Sequence, residues 1–78
     1  MNNSLTENLK IFEEFVLSSD YEDIVVVAKD DHSVSDFLDH IMLRYESVKF
    51  FIDRDENRAI YESHLLASMI CDYLGYEQ

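Results

Sequence analysis

The sequence predicts one α+β domain covering residues 1–78, ordered helix, strand, helix, hairpin, helix, with a small three-stranded sheet packed against three helices. Three observations predict it. Apolar residues recur at helical spacing in three segments. Ile24-Val25-Val26-Val27-Ala28 is a mostly β-branched run. Two apolar segments flank the turn-rich Arg54-Asp55-Glu56-Asn57. An all-α bundle is the alternative, because both strand segments also tolerate helical spacing.

The first helix opens on Ser4-Leu5-Thr6-Glu7, a capping box in which the hydroxyl accepts from an orphan N–H and the glutamate reaches back. Leu5, Leu9, Phe12 and Val16 then share a face, widened by Ile11 and Phe15, and the helix should end near Ser18 or Ser19. Residues 24–28 read as a strand apolar on both faces, since β-branched side chains lose rotamer freedom in a helix. The rival is a helix begun by a second capping box at Ser19–Glu22, with Tyr21, Ile24, Val25 and Ala28 on one face.

Asp30-Asp31-His32-Ser33 reads as a turn, with Ser33 or Ser35 as cap of the next helix. Val34, Phe37, Leu38, Ile41, Met42 and Tyr45 form its stripe, and Leu43 stands alone among polar positions and should be exposed. Residues 48–53 and 58–63 read as a hairpin. In that register Asp53 faces Arg58, Phe51 faces Ile60 and Lys49 faces Glu62, while Phe50, Ile52, Ala59 and Tyr61 make the core face. A continuous helix from Ser35 to Ile52 is the competing reading. The last helix should run from about Ser63 to Leu74, with Leu65, Leu66, Met69, Ile70 and Tyr73 on a wide buried arc. Gly75 is the residue a helix end prefers, and Tyr76 is placed to pack back over the last turn.

Seventeen acidic residues against six basic ones give a net charge of −11 and a pI near 4.3. Such a field repels nucleic acid and anionic membrane and attracts basic protein surfaces, although acidity also serves solubility alone. The lone Cys71 cannot form an internal disulfide, and the start of the chain lacks a signal-peptide pattern, so a cytoplasmic protein is expected. No apolar run is long enough for membrane insertion.

The chemistry-bearing motifs are weak. Asp53-Arg54-Asp55-Glu56-Asn57 resembles the opening of an EF-hand calcium loop, but the required glycine is Arg58 and the bidentate glutamate is His64. His32, Asp36 and His40 have metal-ligand spacing without a fourth ligand. Cys71 sits near a helix C-terminus, where the dipole disfavours a thiolate, so it reads as a small hydrophobe. One glycine cannot build a phosphate loop. The expectation is therefore a non-enzymatic protein without metal or cofactor.

The leading reading is a small regulatory or inhibitory protein that presents carboxylates to a basic surface, including one that grips nucleic acid. Its residues are Glu13, Glu14, Asp20, Glu22 and Asp23 in one block, Asp30, Asp31, Asp36 and Asp39 in a second, and Asp53, Asp55 and Glu56 on the hairpin tip. In size and acidity the chain is similar to the small inhibitors encoded by phages and mobile elements, a likeness of general character without a motif. The second reading is an interaction or homodimerisation module. It works through Leu43, the Phe51/Ile60 pair and the Ile11/Phe15 flank of the first helix, with acidity serving solubility.

Overall fold

The computed structural model describes residues 3–75, and they form four α-helices with no strand among them: α1 Asn3–Val16, α2 Ser19–Ala28, α3 His32–Phe51 and α4 Glu56–Leu74. The fold is an all-helical bundle, and the α+β architecture with its three-stranded sheet is overturned. α4 is the central element, packed against both α1 and α3. α3 and α4 form an antiparallel hairpin, with Phe37 near the start of α3 stacked on Tyr73 near the end of α4 (centroids 4.1 Å apart). α1 runs parallel to α4. Asn8 Nδ2 donates to Ser63 Oγ at 3.1 Å near the start of both helices, and Phe15 meets Ile70 and Leu74 near their ends. α2 therefore crosses the end of the bundle at which α1 finishes, α3 begins and α4 finishes, and it packs on α1 and α3.

Residues 24–28 are helix because side-chain packing overrides β-propensity. Ser18 Oγ accepts from Tyr21 N (3.2 Å) and donates to the Phe15 carbonyl (2.6 Å), which stops α1 and starts α2 in one residue. The cap is thus Ser18, one position before the expected box. Ile24 is buried, Tyr21 packs edge-on to Phe15, and Val26 and Val27 are left 62% and 49% exposed. An apolar run that looks two-sided is the inner face of a helix plus two outward valines.

The hairpin at 48–53 and 58–63 is overturned by the same periodicity. Val48 is fully buried on α3, and Ala59, Ser63, Leu66 and Ile70 form one buried stripe that starts four residues before the expected helix. The apparent cross-strand charge pairs are local helical ones. Arg58 lies 3.5 Å from Glu62 on the next turn, and Lys49 lies 3.9 Å from Glu46. Phe50, Ile52 and Tyr61, expected on a core face, are exposed, and only Ala59 of that set is buried. The continuous-helix reading of this segment holds, with bounds shifted to His32 and Phe51.

The caps explain the remaining shifts. Asp31, rather than Ser33 or Ser35, caps α3, its Oδ1 accepting from Ser33 N, Val34 N and Ser33 Oγ. Asp55 caps α4 by accepting from Arg58 N at 3.1 Å. Gly75 ends α4 at φ 76°, the left-handed conformation that a side chain disfavours, and donates to the Cys71 carbonyl. α1 already runs at Asn3, so Ser4 lies inside its first turn and the capping position falls outside the described residues, as does Tyr76. The core is Phe12, Phe15, Ile24, Ile41, Leu66 and Ile70. Phe12 of α1 stacks on Tyr45 of α3 (4.2 Å) and joins the two outer helices. Phe15 is therefore core rather than an uncovered flank, and Met42 leaves the expected stripe to stand 43% exposed.

Candidate functional site

Two of the three acidic blocks come together. Glu13 and Glu14 lie at the end of α1, Asp20, Glu22 and Asp23 begin α2, and Asp30, Asp31, Asp36 and Asp39 lead from α2 into α3. All belong to the end of the bundle that α2 crosses, and all are exposed. Lys29 is the single Lys or Arg between Glu13 and Asp39. Part of this charge has local work. Asp20 and Glu22 sit in the first turn of α2, where the helix dipole favours anions. The Ser33 hydroxyl and the backbone N–H of Val34 and Ser33 hold the Asp31 carboxyl below its ordinary value of 3.8. Glu14 meets Lys10 only at 4.0 Å in an exposed pair, which contributes little.

The apolar component of this end is missing from the sequence reading. On α2 the positions Asp23, Val26 and Val27 follow helical spacing on the outward face, opposite Tyr21, Ile24, Val25 and Ala28, with Asp30 in the turn just beyond. Leu17, in the turn before α2, is 86% exposed. The surface thus has valines framed by carboxylates, the layout of a contact patch with an apolar centre and polar rim. The signal was present in the rival helical spacing of residues 21–28, which leaves Val26 and Val27 on the opposite side.

The third block is elsewhere. Asp53 and Asp55 lie in the α3–α4 turn at the far end and Glu56 begins α4, among bases. Arg54 stacks over Phe50 (4.3 Å to the ring) and donates to its carbonyl at 2.6 Å. Arg58 lies 5.5 Å and 5.6 Å from the Phe51 and Tyr61 rings. Asp55 is a helix cap, so its carboxylate is a structural group here. Phe51 ends α3 and Ile60 lies in the first turns of α4, and both are half-buried. Leu43 is 65% exposed, as its isolation in the pattern required.

Beneath this end lies a polar feature that sequence reasoning missed. Glu62 is 2% exposed, its Oε1 accepting from Arg44 Nη1 at 2.8 Å and its Oε2 facing Arg58 Nε at 3.5 Å. The Arg44 bond ties α3 to α4, while the buried Oε2 has no hydrogen-bond partner and only the charge of Arg58 on its own helix nearby. Read as a cross-strand partner of Lys49, it carried no hint of burial.

Among the described residues no three His, Cys, Asp or Glu side chains are gathered to hold a metal ion, and His32 pairs with Asp36 at 3.5 Å within one helix. The five-residue likeness to a calcium loop is the α3–α4 turn and the start of α4. Cys71 is buried, lining a cleft of about 250 Å³ between α1 and α4 with Ile11, Phe15, Ile70 and Leu74. No helix among the described residues is long and apolar enough to cross a membrane. No family model, no curated protein and no solved structure matches this chain.

Proposed function

We propose that the chain is a binding protein whose working surface is the α2 end, and that its partner is a protein with a basic surface around an apolar contact. The observation that carries this reading is the convergence of two acidic blocks, separate in sequence, around the outward valines of α2. Carboxylates spread over one end of a small body imitate the charge of a phosphate backbone, so proteins whose basic surfaces grip nucleic acid are the natural class of target. Binding would occupy such a surface and act as inhibition or regulation of its owner. The valines add an apolar contact that nucleic acid lacks, which gives the complex selectivity among basic proteins.

The test is affinity capture with the immobilised chain after nuclease treatment, in about 0.05 M and about 0.5 M salt. Basic proteins retained at low salt and released at high salt are expected. A variant with Asp20, Asp23 and Asp30 changed to Lys should lose them, and one with Asp53 and Glu56 changed to Lys should keep them. Retention unaffected by the first variant would overturn the reading.

A further inference from the structure

We propose that the cleft between the ends of α1 and α4 is the anchor pocket of the α2 end. Its occupant is one aromatic or branched apolar side chain of the basic partner, with a neighbouring lysine or arginine of that partner at Glu14. The inference rests on the partner-binding reading and adds the place where the partner's apolar contact enters. The cleft follows from helical spacing. Ile11, Glu14 and Phe15 share one side of α1, and Ile70, Cys71 and Leu74 share one side of the last turns of α4. α2 packs on α1 and α3 and, among the described residues, does not pack against α4. A cleft therefore remains where α1 and α4 finish. Its floor is buried Phe15, Ile70 and Cys71, and its walls are half-buried Ile11 and Leu74. Its volume is about 250 Å³. Sites that enclose a small molecule or cofactor occupy roughly 300–1,000 Å³, so this one is matched to a single side chain.

The rim sets the charge of the occupant. Glu14 is the single charged residue lining the cleft among the described residues. Its exposed pair with Lys10 spans 4.0 Å, which leaves the carboxylate open to a closer cation. α1 and α4 both end here without a base in the last turn, and those turns carry the exposed Glu13 and Asp72 as well. The carbonyl ends of two helices and these carboxylates all favour a cation. A neutral apolar group leaves that field unused, and an anionic one opposes it. An apolar group with a positive charge beside it satisfies floor and rim together. An apolar anchor in a desolvated pocket is also how protein interfaces make their strongest single contacts.

Phenethylamine, an aromatic ring joined to a side-chain-like ammonium, is the probe. In amide NMR titration of the full chain it should shift Ile11, Phe15, Ile70 and Leu74, with a dissociation constant on the order of millimolar. Phenethyl alcohol, of the same shape without the charge, should bind about fivefold more weakly, and Glu14→Gln should weaken the amine while leaving the alcohol unchanged. Ile11→Phe and Cys71→Leu fill the cleft from the wall and from the floor. Either one that keeps the helical circular dichroism spectrum should abolish probe binding and cut retention of basic proteins on the immobilised chain about tenfold. An amine that shifts residues elsewhere, or that binds no better than the alcohol, would overturn the pocket. Full retention by the filled variants, alongside loss by the variant with Asp20, Asp23 and Asp30 changed to Lys, would overturn the anchor and leave the α2 surface reading standing. Retention by that lysine variant would overturn both.

Discussion

The two ends of the bundle solve opposite problems with the same residue types. Toward the α3–α4 turn each Lys and Arg has an anchoring contact: Arg44 bonds Glu62, Arg58 lies near it, Arg54 lies on Phe50, and Lys49 is near Glu46. There one ion pair, Arg44–Glu62, joins the two long helices, and the other contacts lie within a single turn of chain. At the α2 end carboxylates outnumber bases from Glu13 to Asp39, and α2 itself is a ten-residue helix rich in β-branched residues with a single buried side chain. Short helices gain stability mainly from packing, so this end is the weaker one and the one with charge left over for a partner.

The largest effects should fall at the first end. Leu66→Ala, at a fully buried site on α4, should cost about 3 kcal/mol in urea unfolding. Arg44→Ala, which strips the short hydrogen bond from buried Glu62, should cost about 2–3 kcal/mol. If Arg44→Ala were neutral, the buried carboxylate would be held by something other than this pair. Ile24→Ala, with less packing to lose on α2, should cost less than Leu66→Ala, and the reverse order would contradict the ranking of the two ends.

Why one end was legible and the other was not follows from particular residues. Exposed Leu43, buried Ile41, the glycine stop at Gly75 and an acidic block at each end of α2 all follow from spacing and backbone chemistry. The strand at 24–28 failed because propensity describes an isolated segment, whereas Ile24 is placed by Phe12, Phe15 and Ile41 from other helices. The hairpin failed because alternation over six residues and a helical period share positions. Only the extension of the Ala59 stripe through Ile70 separates them. Glu62 failed because nothing local marks a charge for burial when its partner, Arg44, stands 18 residues away.

Smaller changes sharpen the contrast. Val26→Ala on the outward face of α2 should stabilise the fold by about 0.5 kcal/mol, since alanine is the better helix former where nothing packs. A loss of stability would mean that the valine is covered. Asp31 gives a pH signature. Its folded value lies below the ordinary 3.8, so its contribution is present above 3.8 and is lost as pH falls through the folded value. The gap between wild type and Asp31→Asn in thermal unfolding should therefore close in acid, and a constant gap would assign the effect to something other than the carboxylate. Finally, raising salt from about 0.01 M to 0.15 M should raise the melting temperature slightly through screening of like charge.

Mapping by amide NMR during titration with a soluble arginine- and leucine-containing helical peptide bears most directly on the α2 end as the working surface. The account predicts chemical-shift changes concentrated in residues 13–39 that fade as salt is added. Changes centred on the α3–α4 turn, or spread evenly over the whole surface, would contradict it.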